Sequence, residues 1–237
     1  MKFCEPCADL NPFEIHSRED FKSEFKTYAF SRSCLSLFNS IYSFSAYFTF
    51  DSPIRPTLNG GPLIGEYIFE QMHFHWSVDD FTGCEHVLDG HGYAAECHLV
   101  HYNSKYESME AAVANSDGLA VVGFLLEAVD APNPSFDRFV EALDQIKKQD
   151  NTSDFTASLA WMDRAEVMTG SYVTYKGSLT TPPYTECVTW IIFEKPVQIG
   201  SEQVSLNNLN CIRNYNNNHV DSLIFFFCKV PVFIPRF

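Results

Sequence analysis

The sequence predicts a mainly β domain of the α+β class, with one large, mostly antiparallel twisted sheet and helices at its periphery. Three observations lead there. Strand-like apolar runs outnumber helix-like ones, and only one segment holds a sustained helical period. A chain of 237 residues with a hydrophobic fraction of 46% can also bury a single substantial core.

Taken in order, Asn59-Gly60-Gly61-Pro62 is a turn between apolar runs. "EQMHFHWS" follows as a strand, then an acidic loop, then "YAAECHLVHYN" as a second strand. "SMEAAVANS" is a short helix that ends near Asp117-Gly118. "LAVVGFLLEAV" is apolar on both alternating sets, which marks a strand covered on both faces. The clearest helix starts at Asn133 as N-cap with Pro134 in the first position; Phe136, Phe139, Val140, Leu143 and Ile146 recur at helical spacing. "SYVTYKG" and "ECVTWIIFEKPV" are strands joined by "SLTTPP". The ends show no dependable period. The chain therefore divides into a divergent N-terminal segment (1–46), a core (47–211) and a divergent C-terminal tail (212–237).

Composition excludes some partners. A formal charge of −14 argues against nucleic acid, whose phosphates need clustered Lys and Arg. "CLSLFNSIYSFSAYFTF" and "SLIFFFCKVPVFIPRF" are too broken by polar residues or Pro to span a membrane. The eight cysteines are scattered; Cys97, Cys187 and Cys228 lie in apolar runs and read as buried free thiols, and Cys4-x-x-Cys7 has no partner pair. The first residues carry no continuous apolar signal region, so Asn151-Thr152-Ser153 is not read as a glycosylation site. These features together lead to the expectation of a reduced, cytoplasmic setting.

The chemistry concentrates in the first two strands. Alternation puts Gln71, His73 and His75 on one face of "EQMHFHWS" and Met72, Phe74 and Trp76 on the other. Two imidazoles about 6–7 Å apart on one strand face are near enough to chelate one ion. In the second strand Glu96, His98 and Val100 share a face, and Cys97, Leu99 and His101 point the other way. If the strands are neighbours, His98 supplies a third nitrogen. Three neutral imidazoles with a fourth position open are the donor set of a catalytic zinc site. Gln71 and Glu96 each stand two residues before a ligand on the same face, where they can accept from its other nitrogen. His16, His91 and His219 have no such company and read as ordinary histidines.

At this point the chain resembles the alpha-class carbonic anhydrases of the cytosolic type. The matching segments are "GGPLIGEYIFEQMHFHW", "GCEH", "YAAECHLVHYNSKY", "DGLAVVGFLLEAV" and "YKGSLTTPPYTECVTWIIFEKP", in the family's order from Asn59 to Val204. The resemblance implies that region 47–211 is a catalytic core in which His73, His75 and His98 bind Zn²⁺. It also implies that Thr180 accepts from a zinc-bound hydroxide and donates to Glu85, while Thr181 contacts substrate. Val100, Val121, Leu179, Val188 and Trp190 would form the apolar wall beside which CO₂ sits. The implied activity is reversible hydration of carbon dioxide to bicarbonate and a proton by a monomer with a small-molecule substrate, no nucleic acid and no membrane.

One departure bears on rate. The position where efficient members carry a proton-shuttling histidine falls near Phe44, in a segment without His. A group of pKa near 7, reprotonated at a diffusion limit of ~10¹⁰ M⁻¹s⁻¹, releases protons at roughly 10³ s⁻¹. That is about a thousandfold below the turnover known for carbonic anhydrase. The sequence leaves two alternatives open: a non-catalytic carbonic-anhydrase-related binding module, or a truncated, inactive product. A metalloprotease is disfavoured, because no HExxH occurs.

Overall fold

A computed structural model describes residues 55–77, 79–141 and 171–204 in full, and the backbone alone of 14–16, 21–23, 33–40, 43–49, 142–145, 152–155 and 232–234. The strands are β1 (Glu14–His16), β2 (Phe21–Ser23), β3 (Ser33–Ser40), β4 (Ser43–Thr49), β5 (Thr57–Gly60), β6 (Tyr67–Trp76), β7 (His86–Leu88), β8 (Ala95–Asn103), β9 (Leu119–Val129), β10 (Thr152–Phe155), β11 (Tyr172–Gly177), β12 (Val188–Gly200) and β13 (Val232–Ile234). The described residues include the helices α1 (Met109–Val113) and α2 (Asp137–Gln145), and a single helical turn over 201–204.

Eleven strands form one sheet in the order β1-β11-β12-β9-β8-β6-β4-β3-β10, with β5 pairing β6 and β2 pairing β5. All of its pairs are antiparallel except β9 with β12. A parallel neighbour needs a long crossover, and the chain between β9 and β12 contains α2, β10 and β11. Both strands of that pair are internal to the sheet, which accounts for the apolar runs Leu119–Leu126 and Trp190–Phe193 within them.

The sheet buries a different cluster on each face. One holds Met72, Phe74, Trp76, Cys97, Leu99, Val122, Phe124, Ile191 and Phe193. The other holds Val100, Val121, Val173, Tyr175, Val188, Trp190 and Ile192. Strict alternation would put Tyr67 and Phe69 with His73 and His75, yet both belong to the first cluster. A bulge between Phe69 and Gln71 in the β6–β8 ladder inserts Glu70 and reverses the parity. It is what lets one strand bury aromatics at both ends and still present its histidines opposite them. A second irregularity, between Phe193 and Val197, surrounds Pro196, which has no N–H for the ladder.

The helices follow their caps. Ser108 accepts from Ala111 N–H (3.2 Å) and opens α1. Asn133 accepts from Ser135 N–H (3.1 Å), but the turn it caps, Pro134–Phe136, is a 3₁₀ turn before α2 begins. The expected single helix thus begins with a tighter turn. Phe136 and Phe139 are buried against the first cluster, while the Leu143 and Ile146 side chains lie outside the described residues. Cys97 and Cys187 are free and buried, and Cys228 lies outside the described residues. Among the described residues no helix is long and apolar enough to cross a membrane.

Two outcomes follow. Phe124 is fully buried and stacks on Phe193 with ring centroids 5.2 Å apart. Phe124→Ala is expected to cost about 3–5 kcal/mol of unfolding free energy in denaturant titration. His101, on the same face, is buried, and burial holds its pKa down to about 4 from 6.5. The unfolded chain therefore binds a proton in that window that the folded chain refuses. Its contribution is fully present above pH 6.5 and is lost as pH falls toward 4, by up to about 3 kcal/mol. Urea titrations of wild type and His101→Leu at pH 7 and pH 4.5 should show the steeper loss in wild type.

Candidate metal centre

β6 and β8 are antiparallel neighbours whose register sets His73 opposite His98, His75 opposite Glu96 and Gln71 opposite Val100. Because paired residues project to the same side, all three imidazoles meet on the face away from Met72, Phe74 and Trp76. Their ring centroids form a near-equilateral triangle: 4.8 Å from His73 to His75, 5.0 Å from His73 to His98 and 4.8 Å from His75 to His98. One nitrogen from each lies within 4.8 Å of the others, and all three rings are buried.

The outer nitrogens determine what the inner ones offer. His98 Nε2 is 2.6 Å from Glu96 Oε1, and an ionised carboxylate only accepts, so Nε2 donates and Nδ1 is left with a lone pair. His73 Nδ1 donates to Gln71 Oε1 at 2.8 Å, which leaves its Nε2 with one. Those two inner nitrogens face each other at 3.2 Å. Glu85 Oε2 adds negative charge, 3.4 Å from His75 Nε2 and 3.9 Å from His98 Nδ1, buried and without a hydrogen-bond partner. Facing lone pairs beside a bare carboxylate oxygen fit a divalent cation, and three imidazoles fit zinc.

Glu96 organises the surroundings. Its Oε2 accepts from the backbone N–H of Glu85 and of His86, both at 2.8 Å. Its Oε1 accepts from His98 and, at 2.5 Å, from His86 Nδ1. Burial by itself would raise the carboxyl pKa, but His86 and His98 outweigh it and hold it well below the usual range. Tyr175 hydroxyl then donates to His86 Nε2 at 2.5 Å. His86, Glu96 and His98 also lie close enough to suggest a metal set. Their mutual contacts are donor to acceptor, however, and no lone pair is left pointing at a common centre.

His86 and Tyr175 were not singled out from the sequence. His86 sits in "GCEH" directly after Glu85, but its link to Tyr175 spans 89 residues, which no local pattern can reveal. Gly123 was also missed. It lies opposite His98, and a Cβ there would come within 2.5 Å of Ile192 Cδ1 and 3.3 Å of Glu96 Oε1.

The remaining expected residues fall as follows. Val100, Val121, Val188 and Trp190 belong to one buried cluster, with Leu179 packed against it. Trp190 lies with its ring centroid 4.8 Å from that of His98, and its Nε1 donates to Ser178 O at 3.2 Å, which anchors the loop after β11. Thr180 and Thr181 follow in that loop, and Tyr184 N–H donates to Thr181 O at 2.9 Å. Among the described residues no hydrogen bond joins Thr180 to Glu85, whose Oε2 is turned toward the imidazoles instead. Cys97 and His101 are on the opposite face, where Phe69 meets the His101 ring edge-on.

The profile of the eukaryotic-type carbonic anhydrases matches residues 9–223. Mitochondrial carbonic anhydrase 5A of Homo sapiens is 42% identical over 176 residues, covering 73% of this chain and 56% of the relative. The chain thus spans little more than half that relative's length. The expected cytoplasmic setting is overturned by this comparison, since the relative is a mitochondrial protein. A cellular address is carried by recognition signals that composition and free thiols do not encode. With its fold, its imidazole triangle and its sequence in agreement, the chain belongs to the eukaryotic-type carbonic anhydrase family.

Proposed function

We propose that the chain catalyses zinc-dependent, reversible hydration of carbon dioxide to bicarbonate and a proton. The observation that carries this is the triangle of buried imidazoles whose inner nitrogens face one another. His73, His75 and His98 would hold the ion. Zinc there would supply a Lewis acid that lowers the pKa of a bound water to near 7, as is known for carbonic anhydrase.

The chain's own residues do the rest. Gln71 and Glu96 fix the tautomers of His73 and His98, so that a lone pair and not an N–H faces the centre. Val100, Val121, Leu179, Val188 and Trp190 exclude water beside it and offer an apolar seat to an uncharged linear molecule. Thr180, donating to Glu85, would orient the attacking oxygen, and Thr181 would contact the substrate. That bond requires the Thr180 hydroxyl or the Glu85 carboxylate to shift from the positions described above. Its mitochondrial relative suggests the same setting for this chain.

Proton departure is the slow part of this reading. β4 flanks the site, with Ser45 opposite His75, Tyr47 opposite His73 and Phe44 opposite Trp76. Its residues, "SFSAYFT", include no histidine, so this strand offers no imidazole relay and in this reading the proton leaves to buffer.

Stopped-flow CO₂ hydration on metal-quantified protein tests the activity. His98→Ala should lose bound zinc and hydration together, and retained zinc would refute the ligand assignment. In dilute buffer kcat should lie at about 10³–10⁴ s⁻¹ and rise with added imidazole. A kcat above about 10⁵ s⁻¹ that ignores imidazole would refute the proton-transfer limit.

A further inference from the structure

β7 stands outside the eleven-stranded sheet. Yet it begins with His86 and follows Glu85, and the N–H groups of both reach Glu96 Oε2 at 2.8 Å. His86, Val87 and Leu88 are all buried, so the backbone groups that point away from Glu96 also need partners. At the end of β7, Leu88 and His91 exchange backbone hydrogen bonds of 3.2 and 2.8 Å in a tight turn. Along its length the only strand partner among the described residues is β13, in a separate two-stranded sheet. The pairing is parallel: Val232 with His86, Phe233 with Val87 and Ile234 with Leu88.

The sequence of β13 suits the slot. Pro231 precedes it and Pro235 follows it, and proline has no N–H to donate to a ladder. The ladder is therefore confined to the three residues that β7 can match. This segment lies beyond residue 223, where the family match ends.

We propose that residues 232–234 are a positioning strand for the metal centre. By pairing with β7 they hold the backbone amides of Glu85 and His86 against Glu96, and Glu96 in turn fixes the His98 imidazole. The proposal deepens the metal reading given above and rests on it.

The test compares the full chain with Val232→Pro, Phe233→Pro and a chain ending at Pro231. Two quantities are read: hydrogen exchange at the Glu85 and His86 amides in metal-stripped protein, and zinc release to a chelator. Adjacent residues of a parallel strand alternate in presenting their N–H to the partner. One single-proline variant should therefore speed exchange and zinc release about tenfold or more, the range for losing an outer support of a metal ligand. The other should do so far less.

The shortened chain should match the stronger variant and recover when a peptide of residues 230–237 is added. Phe139→Ala, which damages the core on the opposite face, serves as the control for general destabilisation. It should lower the melting temperature without moving zinc release. Equal effects of the two prolines, release in the shortened chain within about twofold of the full chain, or the same acceleration in Phe139→Ala would each overturn the proposal. Failure of the unaltered chain to take up zinc would sink the metal reading, while amide exchange would still decide whether β13 holds β7.

Discussion

Glu96 is fully buried near the start of β8 and still carries its negative charge, because four N–H groups converge on its two oxygens. Stripping an ionised carboxylate of water costs several kcal/mol, and only short, charge-assisted hydrogen bonds offset that. Each of the four donors belongs to the site: one ligand imidazole, the imidazole behind it, and two consecutive amides of the segment that carries Glu85. The desolvation penalty therefore acts as a constraint. If any donor moved away, the carboxylate would be left under-satisfied, so the arrangement tolerates little drift in His98.

The sheet makes this constraint possible by keeping its two faces chemically distinct. On one face Met72, Phe74, Phe124 and Phe193 pack in a mainly apolar cluster, with the buried His101 on the same side. On the other, Gln71, Glu96, His86 and Tyr175 are hydrogen-bonded to one another or to the ligand imidazoles, the Glu85 Oε2 is left bare beside them, and apolar side chains close around the group. The bulge at Glu70 reconciles the two patterns on a single strand. Gly123 does a related service across the ladder, since any side chain there would intrude on Ile192 and Glu96.

Much of this was legible in the sequence, for a simple reason. The three imidazoles and their two immediate acceptors lie on two strands of alternating pattern, and alternation is a local property. The buried strand "LAVVGFLLEAV" and the Asn133-Pro134 helix start are equally local signals. What escaped was non-local or needed one extra residue of irregularity. The His86–Tyr175 bond, the parallel β9–β12 pair and the β7–β13 pair join residues far apart in the chain. The parity reversal at Glu70 cannot be seen without the partner strand. Region 1–46 showed no dependable period, yet it supplies β1 to β3 and the start of β4; β1 and β2 each match one neighbour, while β3 and β4 are each paired on both sides with strands whose register a local pattern does not reveal.

The one parallel pairing in the large sheet has a consequence for how the molecule assembles. The two strands that bear the imidazoles are joined through residues 77–94, a far shorter connection than the crossover, so they can meet earlier in folding at a smaller entropic cost. The hydrophobic side of the cavity draws on β9 and β12, which meet only after residues 130–187 have looped round. The cradle of nitrogens can thus form while its surroundings are still wet, and the last event to complete the interior is the expulsion of solvent.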